Sequence, residues 1–192
     1  MRVISGTAKG HRLVAPKSNR VRPALDQVKE AIFNILFNVE GMRVLDLFAG
    51  SGSIGIEALS RGASLTVFVE EWDKAVECIY KNLEHTNLAS QAKVVKSTVG
   101  RAIATLSRKG GEFDLVFVDP PYEKGLVNPT LEELVRSTLL ADDATVIVEH
   151  HPKEMIGEVK GLTLTDSRKY GQTLVTFLQA GKRSEFKENS KS

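Results

Sequence analysis

The fold is decided by residues 44–55, which read Val44-Leu45-Asp46-Leu47-Phe48-Ala49-Gly50-Ser51-Gly52-Ser53-Ile54-Gly55. The apolar first half is typical of a buried β-strand, and the glycines that follow are typical of a tight turn that leads into a helix. Gly50, Gly52 and Gly55 have the spacing G-x-G-x-x-G. In a strand-turn-helix unit this spacing indicates a loop that binds a cofactor containing adenosine, without distinguishing a nicotinamide cofactor from others.

Acidic residues around this loop bear on the choice of cofactor. Glu70 or Glu71 follows the glycines by about twenty residues, the position at which a carboxylate accepts hydrogen bonds from ribose hydroxyls. Asp46 lies inside the apolar strand, where a carboxylate without a partner is costly. The ammonium group of S-adenosylmethionine would be a suitable partner, whereas a pyrophosphate would be repelled. Alternatively, Asp46 accepts hydrogen bonds from backbone donors of the loop.

Outward from this loop, apolar segments of strand length alternate with amphipathic helical segments. Because strands that alternate with helices form parallel sheets covered on both faces, the sequence predicts an α/β, Rossmann-like fold with a largely parallel seven-stranded sheet. An antiparallel hairpin, 162–168 with 173–179, is expected to close it. The other predicted strands are 44–48, 65–69, 92–95, 113–118 and 145–148, and the predicted helices are 54–60, 73–84, 101–107 and 131–139.

The first 22 residues contain basic side chains and no acidic ones. Such a segment can neutralise phosphates of a nucleic acid, although basic segments are often only solvated arms. We expect a β-hairpin formed by 3–4 and 13–15, followed after Pro23 by an amphipathic helix that ends near Gly41. The predicted organisation is a basic arm over 1–22, one domain over 23–180 and a disordered tail over 181–192.

Composition limits the class of protein. A chain of 192 residues with 42% hydrophobic residues suits one globular domain. Its single cysteine, Cys78, excludes an internal disulfide framework, and no segment resembles a signal peptide or a membrane span. We therefore expect a cytoplasmic protein, monomeric and without membrane contact.

A second motif, Asp119-Pro120-Pro121-Tyr122, follows the apolar segment 113–118. The carboxyl ends of parallel strands line the ligand crevice, so this tetrapeptide is expected to face the ligand of the glycine loop. We predict that Asp119 and the Pro120 carbonyl each accept one N–H of an exocyclic amine on a nucleic-acid base, so that its lone pair faces a methyl donor. Tyr122 would stack on the extruded base, and the two prolines fix the turn. The other interpretation is a rigid turn in which Tyr122 only packs.

Together, the two motifs look like the signature of class I S-adenosylmethionine-dependent methyltransferases. The amino-terminal residues are more specific, and with them the chain resembles the RsmD family of bacterial 16S ribosomal RNA guanine-N2 methyltransferases over nearly its whole length. These residues are Gly6, Lys9-Gly10, Arg12-Leu13, Pro16 and the segment from Arg22-Pro23-Ala24-Leu25-Asp26 to Leu36.

The resemblance implies methyl transfer to N2 of one guanine in 16S ribosomal RNA, on the 30S subunit or an assembly intermediate. It implies RNA contacts at Lys9, Arg12, Arg20 and Arg22, and S-adenosylmethionine contacts at Arg22, Pro23, Asp26, Asp46, Phe48, Gly50, Ser51, Gly52, Glu70, Glu71, Thr98 and Val99. Trp72 and Thr98 depart from the family pattern around adenine. Trp72 either stacks on adenine or caps the following helix.

Other functions fit the sequence less well. A DNA methyltransferase acting on adenine or cytosine amines can carry the same tetrapeptide, but no target-recognition domain is evident. A protein glutamine methylase would be expected to have Asn in place of Asp119, and a dehydrogenase lacks a substrate domain. A non-catalytic RNA-binding assembly factor would not need Asp119 and Tyr122. Adjacent His150 and His151 point in opposite directions on a strand, so no metal site is expected there.

Overall fold

The computed structural model describes residues 1–16, 25–122 and 124–182. The helices are α1 (Leu25–Leu36), α2 (Ser53–Ser60), α3 (Asp73–His85), α4 (Val99–Lys109) and α5 (Val127–Arg136), with a short 3-10 helix at Ala89–Gln91. The strands are β1 (Arg43–Leu47), β2 (Leu65–Glu70), β3 (Ala92–Lys96), β4 (Phe113–Val118), β5 (Leu140–His150), β6 (Leu162–Tyr170) and β7 (Thr173–Ala180). Within the described residues, no helix is long and apolar enough to cross a membrane.

The strands form a mixed sheet in the order β3-β2-β1-β4-β5-β7-β6. The pairs β1–β2, β2–β3 and β4–β5 are parallel, whereas β7 pairs antiparallel with both β5 and β6. The predicted α/β fold with a terminal antiparallel hairpin is therefore confirmed. The chain divides into two compact units, Met1–Val99 and Gly100–Ser192.

In the first unit, the sheet is built from strands whose side chains are buried on both faces. Val44, Leu45 and Leu47 of β1 are fully buried, as are Phe68 and Val69 of β2. A strand buried on both faces needs a continuous apolar sequence, which explains why residues 44–48 lack the alternation of a half-exposed strand.

The amino-terminal segment, residues 1–16, forms a short hairpin that we call the N-terminal hairpin. A single antiparallel bridge joins Arg2 to Arg12, and the Val3 N–H donates to the His11 carbonyl over 3.0 Å. Helix α1 was predicted to end near Gly41, and this prediction was wrong. The helix ends at Leu36 because Phe37 adopts a left-handed conformation, with φ +61°, that stops the helical hydrogen bonding.

The N-terminal hairpin is attached to α2 by polar contacts. The carboxylate of Glu57, which is fully buried, accepts the N–H groups of Ile4 (2.8 Å) and Ser5 (3.0 Å). Ser60 continues the attachment, since its hydroxyl donates to the Ser5 carbonyl over 2.6 Å. Gly6 passes so close to α2 that a Cβ atom there would lie 1.7 Å from the Ser60 carbonyl oxygen. Residues 4–6 of the hairpin are therefore packed against α2.

In the second unit, β5 is longer than the predicted 145–148 and begins at Leu140. Its first part is irregular, since Phe113 pairs with Leu140 but Leu115 pairs with Thr145. Asp143, with φ +59°, lies within this irregularity. The first part of β5 contains two adjacent aspartates, Asp142 and Asp143, so it lacks the apolar pattern from which a strand is predicted.

Helix α5 lies about one turn before its predicted position of 131–139. Pro129 is its third residue, and a proline is tolerated in the first turn because the N–H groups there have no helical acceptor. The helix ends at Arg136, where the Ser137 hydroxyl donates to the Leu134 carbonyl over 2.6 Å.

Candidate active site

The first group of candidate residues lies in the loop that follows β1, residues 48–52, and in Ser53, the first residue of α2. We call residues 48–53 together the glycine loop. Three of its residues are left-handed, with φ +61° at Phe48, +56° at Gly50 and +76° at Gly52. A phenylalanine in this conformation is uncommon and strained. Strain of this kind concentrates at functional sites, where the surrounding structure holds it in place.

The three glycines of the motif have different roles. A Cβ atom at Gly55 would lie 2.3 Å from the Phe68 ring, and one at Gly52 would lie 3.3 Å from both Phe68 and Ile79. These glycines let α2 pack closely on β2. A Cβ atom at Gly50 would meet nothing nearer than the Phe48 carbonyl oxygen, 4.0 Å away. Gly50 therefore borders open space in which a ligand can approach the backbone.

Glu70 ends β2 beside this loop. Its Oε2 accepts the Gly50 N–H over 2.8 Å, and its Oε1 accepts the N–H groups of Glu71 (2.9 Å) and Trp72 (2.8 Å). A carboxylate has about four acceptor sites, so Glu70 keeps capacity for a hydroxyl donor. The side chain of Glu71 is exposed. Of the two acids left open by the sequence, Glu70 is the one whose carboxylate is oriented at the glycine loop.

Asp46 is buried within β1, with 4% of its surface exposed. Its Oδ2 accepts the Gly55 N–H over 3.1 Å, so the alternative of a backbone donor is realised. Burial raises the pKa of Asp46 to about 7, with a smaller contribution from the nearby charge of Glu70. The cost of ionising Asp46 would fall if a cation bound beside it.

These features fit S-adenosylmethionine. The cofactor carries an ammonium group, which Asp46 would complement, and ribose hydroxyls, for which Glu70 has a free acceptor position. The open space at Gly50 leaves room for it. Asp46, Gly50 and Glu70 are therefore the residues that would hold the cofactor.

The remaining predicted cofactor contacts differ in how far their side chains are buried, and two of them lie outside the described residues. Asp26 is half-buried and accepts the Arg2 N–H over a long 3.4 Å, and Ser51 is buried. Thr98 is exposed, and Val99 begins α4. Arg22 and Pro23 lie outside the described residues.

Trp72 occupies the N-cap position of α3 and is 44% exposed. Its side chain makes no capping hydrogen bond, so any capping role is limited to the backbone. The Trp72 backbone N–H donates to the Glu70 carboxylate, and the exposed indole is available to stack on a ring.

The second group of candidate residues, in the other unit, is the tetrapeptide that follows β4. Asp119 and Pro121 are exposed, Pro120 is buried and Tyr122 is half-buried. The Tyr122 hydroxyl lies 2.9 Å from the Thr173 Oγ1 and donates to the Glu149 Oε1 over 3.2 Å. These contacts fix the direction of the phenol ring.

Glu149 and Thr173 were not predicted to contact Tyr122. A signal was present in the sequence, since Glu149 follows the apolar segment 145–148 as Asp119 follows 113–118. The ring of His151 lies 5.9 Å from that of Tyr122, at an interplanar angle of 60°. Tyr122 is therefore held at its hydroxyl and has an imidazole as neighbour.

His150 is buried and has structural partners. Its Nε2 lies 2.9 Å from the Thr176 Oγ1, and its Nδ1 lies 2.8 Å from the Glu154 carbonyl oxygen. In the described part of the chain, no group of three or more potential metal ligands is present. Both carboxylate oxygens of Glu154 are buried and lack a hydrogen-bond partner among the described residues.

The predicted RNA contacts are only partly described. Lys9 and Arg12 are exposed on the N-terminal hairpin, as is Arg2. Arg20 and Arg22 lie outside the described residues. The hairpin thus presents at least three cations to solvent.

Comparisons with known proteins agree on one family. The family model described as conserved hypothetical protein 95 matches residues 1–179. The putative rRNA methyltransferase YlbH of Bacillus subtilis is 38% identical over 175 residues, which is 90% of this chain and 95% of that protein. The ribosomal RNA small subunit methyltransferase D of Escherichia coli is 42% identical over 151 residues, 78% of this chain and 74% of that protein. The putative methyltransferase yhhF from Escherichia coli has a similar structure, with a TM-score of 0.83, 34% identity and coverage of 94% of this chain and 98% of that one.

Proposed function

This chain belongs to the RsmD family of S-adenosylmethionine-dependent ribosomal RNA methyltransferases, and on that premise we propose that it methylates the exocyclic N2 of a guanine in 16S ribosomal RNA. S-adenosylmethionine supplies the methyl group. Asp46, Gly50 and Glu70 bind the donor, and Asp119 to Tyr122 bind the base. The observation that supports an exocyclic base amine as the acceptor is the tetrapeptide, in which Tyr122 is anchored three residues after an exposed Asp119. The choice of guanine N2 in 16S ribosomal RNA rests on the family to which the chain belongs.

The amine of guanine is a weak nucleophile because its lone pair is delocalised into the ring. Asp119 and the Pro120 carbonyl would each accept one of its N–H groups, so that the nitrogen is held and can become tetrahedral. Positive charge develops on the nitrogen as the methyl group is transferred, and the Asp119 carboxylate stabilises that charge. The N2–methyl bond would form as the methyl–sulfur bond breaks, which would leave S-adenosylhomocysteine, and the nitrogen would then release one proton to solvent water at the exposed Asp119. Orientation and electrostatic support therefore account for most of the catalysis.

Tyr122 would stack on the face of the extruded guanine. A ring that is already held at its hydroxyl by Glu149 and Thr173 loses little conformational entropy when a base binds. Base stacking on an aromatic ring contributes about 1–3 kcal/mol.

We also propose that the acceptor is the 30S subunit or an assembly intermediate, and that the enzyme acts as a monomer, without a metal ion, in the cytoplasm. Lys9, Arg12 and Arg2 on the N-terminal hairpin would contact RNA phosphates. The affinity for RNA should therefore fall as salt concentration rises.

The decisive experiment incubates the protein with labelled S-adenosylmethionine and four acceptors: naked 16S RNA, 30S particles lacking this methylation, DNA and total protein. We expect label in 30S particles or 16S RNA, and N2-methylguanosine after nuclease digestion and mass spectrometry. Label that appears only in DNA, or in adenine or cytosine, would reject the proposed acceptor.

The role of Asp119 is tested by Asp119→Ala, for which we expect a loss of about 100-fold or more in kcat with cofactor binding unchanged. Glu112→Ala is the matched control, because Glu112 is an exposed acidic residue that directly precedes the same strand, β4. Equal activity of both variants would show that Asp119 does not bind the amine.

A further inference from the structure

Two buried side chains of the first unit each contact both the N-terminal hairpin and the glycine loop. They are Asn82 on α3, 1% exposed, and Lys29 on α1, 2% exposed. Large polar groups are seldom buried so completely unless their hydrogen bonds are satisfied. Their partners therefore show what these side chains do.

Asn82 connects the second half of the N-terminal hairpin, at Val14, to the glycine loop. Its Oδ1 accepts the Val14 N–H over 2.8 Å, and its Nδ2 donates to the Val14 carbonyl over 2.9 Å, so the amide pairs with Val14 as a neighbouring strand would. The same Nδ2 donates to the Ser51 carbonyl over 2.9 Å. One amide thus holds the backbone of the hairpin and that of the glycine loop.

Lys29 connects the first half of the N-terminal hairpin, at Arg2, to the end of the glycine loop, at Ser53. Its Nζ donates to the Arg2 carbonyl over 2.6 Å and to the Ser53 hydroxyl over 3.0 Å. The charge is balanced by Glu57, whose Oε2 lies 3.4 Å away. A third contact joins the same two segments, since the Ser51 Oγ lies 3.9 Å from the Met1 Sδ.

These contacts make the positions of the two segments depend on each other. If the hairpin moved away, Asn82 and Lys29 would each lose partners while remaining under the glycine loop, and an unsatisfied buried polar group is costly. Conversely, a ligand that orders one segment reduces the entropy that the other must still lose.

We propose that Asn82 and Lys29 are positioning residues that couple RNA binding at the N-terminal hairpin to cofactor binding at the glycine loop. The inference rests on the proposed function, since it requires that the hairpin contacts RNA. Neither side chain touches a reacting atom. The coupling is positive and reciprocal, so RNA tightens cofactor binding by the same factor as the cofactor tightens RNA binding.

The coupling is measured by equilibrium dialysis of labelled S-adenosylhomocysteine, with and without saturating 30S particles that lack the methyl group. For the wild-type protein we expect the particles to tighten binding about fivefold or more. For Asn82→Leu and for Lys29→Met, we expect the ratio of the two dissociation constants to fall close to one. In turnover assays with saturating particles, KM for S-adenosylmethionine should rise in both variants, while kcat changes much less.

Thr86→Val is the matched control for a lost buried polar group at the C-terminal end of α3, where Thr86 is the C-cap residue. The Thr86 hydroxyl is buried, and within the described part of the chain it donates to the α3 carbonyls of Asn82 (2.7 Å) and Leu83 (3.3 Å). This variant should lose stability yet keep the wild-type ratio. If Asn82→Leu does not fold, Lys29→Met provides the same test.

The outcomes separate the coupling from the function. A wild-type protein that binds neither S-adenosylhomocysteine nor 30S particles would overturn the proposed function. A wild-type protein that binds both and methylates, but with a ratio of one, would overturn the coupling alone. If Asn82→Leu and Lys29→Met both kept the wild-type ratio of dissociation constants, these two residues would not carry the coupling.

Discussion

Replacing Asp46 by asparagine separates the two roles of this side chain, one in stability and one in binding. The asparagine has the same shape, and its amide oxygen can still accept the Gly55 N–H. What it lacks is the ability to ionise inside β1. We therefore expect Asp46→Asn to stabilise the free protein at neutral pH and to weaken cofactor binding.

The size of the stability effect follows from the pKa of Asp46, which burial raises from 3.8 to about 7. Below about pH 4 the carboxyl is protonated in both the folded and the unfolded chain, so it gives no pH-dependent penalty. As the pH rises from about 4 to about 7, the unfolded chain releases the proton first, and the wild-type protein loses stability. A difference of about three pH units corresponds to about 4 kcal/mol, an order-of-magnitude value. Between pH 5 and pH 8, the advantage of Asp46→Asn should grow by about 2–3 kcal/mol.

The free energy of unfolding is measured by urea denaturation, followed by circular dichroism, at pH 5 and at pH 8. Asp143→Asn, in an exposed left-handed position of the other unit, is the control for removal of a carboxylate as such. Calorimetry at pH 8 should show that Asp46→Asn binds S-adenosylhomocysteine about tenfold or more weakly, a loss of at least about 1.4 kcal/mol. An advantage that is the same at both pH values would refute a raised pKa for Asp46.

Three further changes test other parts of the structure. Gly6→Ala should lower the free energy of unfolding by about 2 kcal/mol or more, because φ is +82° and the new Cβ would overlap the Ser60 carbonyl; an unchanged urea midpoint would contradict this packing. Tyr122→Phe keeps the ring but loses the contacts with Glu149 and Thr173, so methylation assays should show a loss of less than about tenfold, against about 100-fold for Tyr122→Ala. Glu154→Met should raise the free energy of unfolding by about 1–2 kcal/mol, because it removes a buried carboxylate without hydrogen-bond partners among the described residues, and a lower midpoint in urea would argue against that burial.

The sequence predicted those features that local pattern encodes. Strand β4 has the predicted bounds, 113–118, because its residues are apolar except for Asp114 and are followed by Asp119 and a proline pair. The G-x-G-x-x-G spacing located the glycine loop, and an acidic residue at the end of β2, either Glu70 or Glu71, was likewise predicted. In each of these cases the sequence pattern and the structure that it predicts lie within one strand and the turn that follows it.

Features that depend on distant residues were not predictable in this way. Tyr122 meets Thr173 across 51 residues, and Asn82 meets Val14 across 68, so no local pattern connects them. The pattern also could not show that Gly55 serves packing whereas Gly50 borders open space, since this depends on the position of Phe68. The early end of α1 is set by the backbone of Phe37, a residue that would otherwise continue the helix.

The burial of Lys29 has a practical consequence for watching the N-terminal hairpin move. Amine-reactive reagents modify lysines that they can reach, and the Lys29 amine is enclosed against the Arg2 carbonyl, with 2% of its side chain exposed. Acetylation of this one lysine therefore requires the hairpin to lift. Peptide mass spectrometry can compare the labelling rate of Lys29 with that of the exposed Lys9. The ratio of the two rates would report how often the hairpin opens, without any introduced probe.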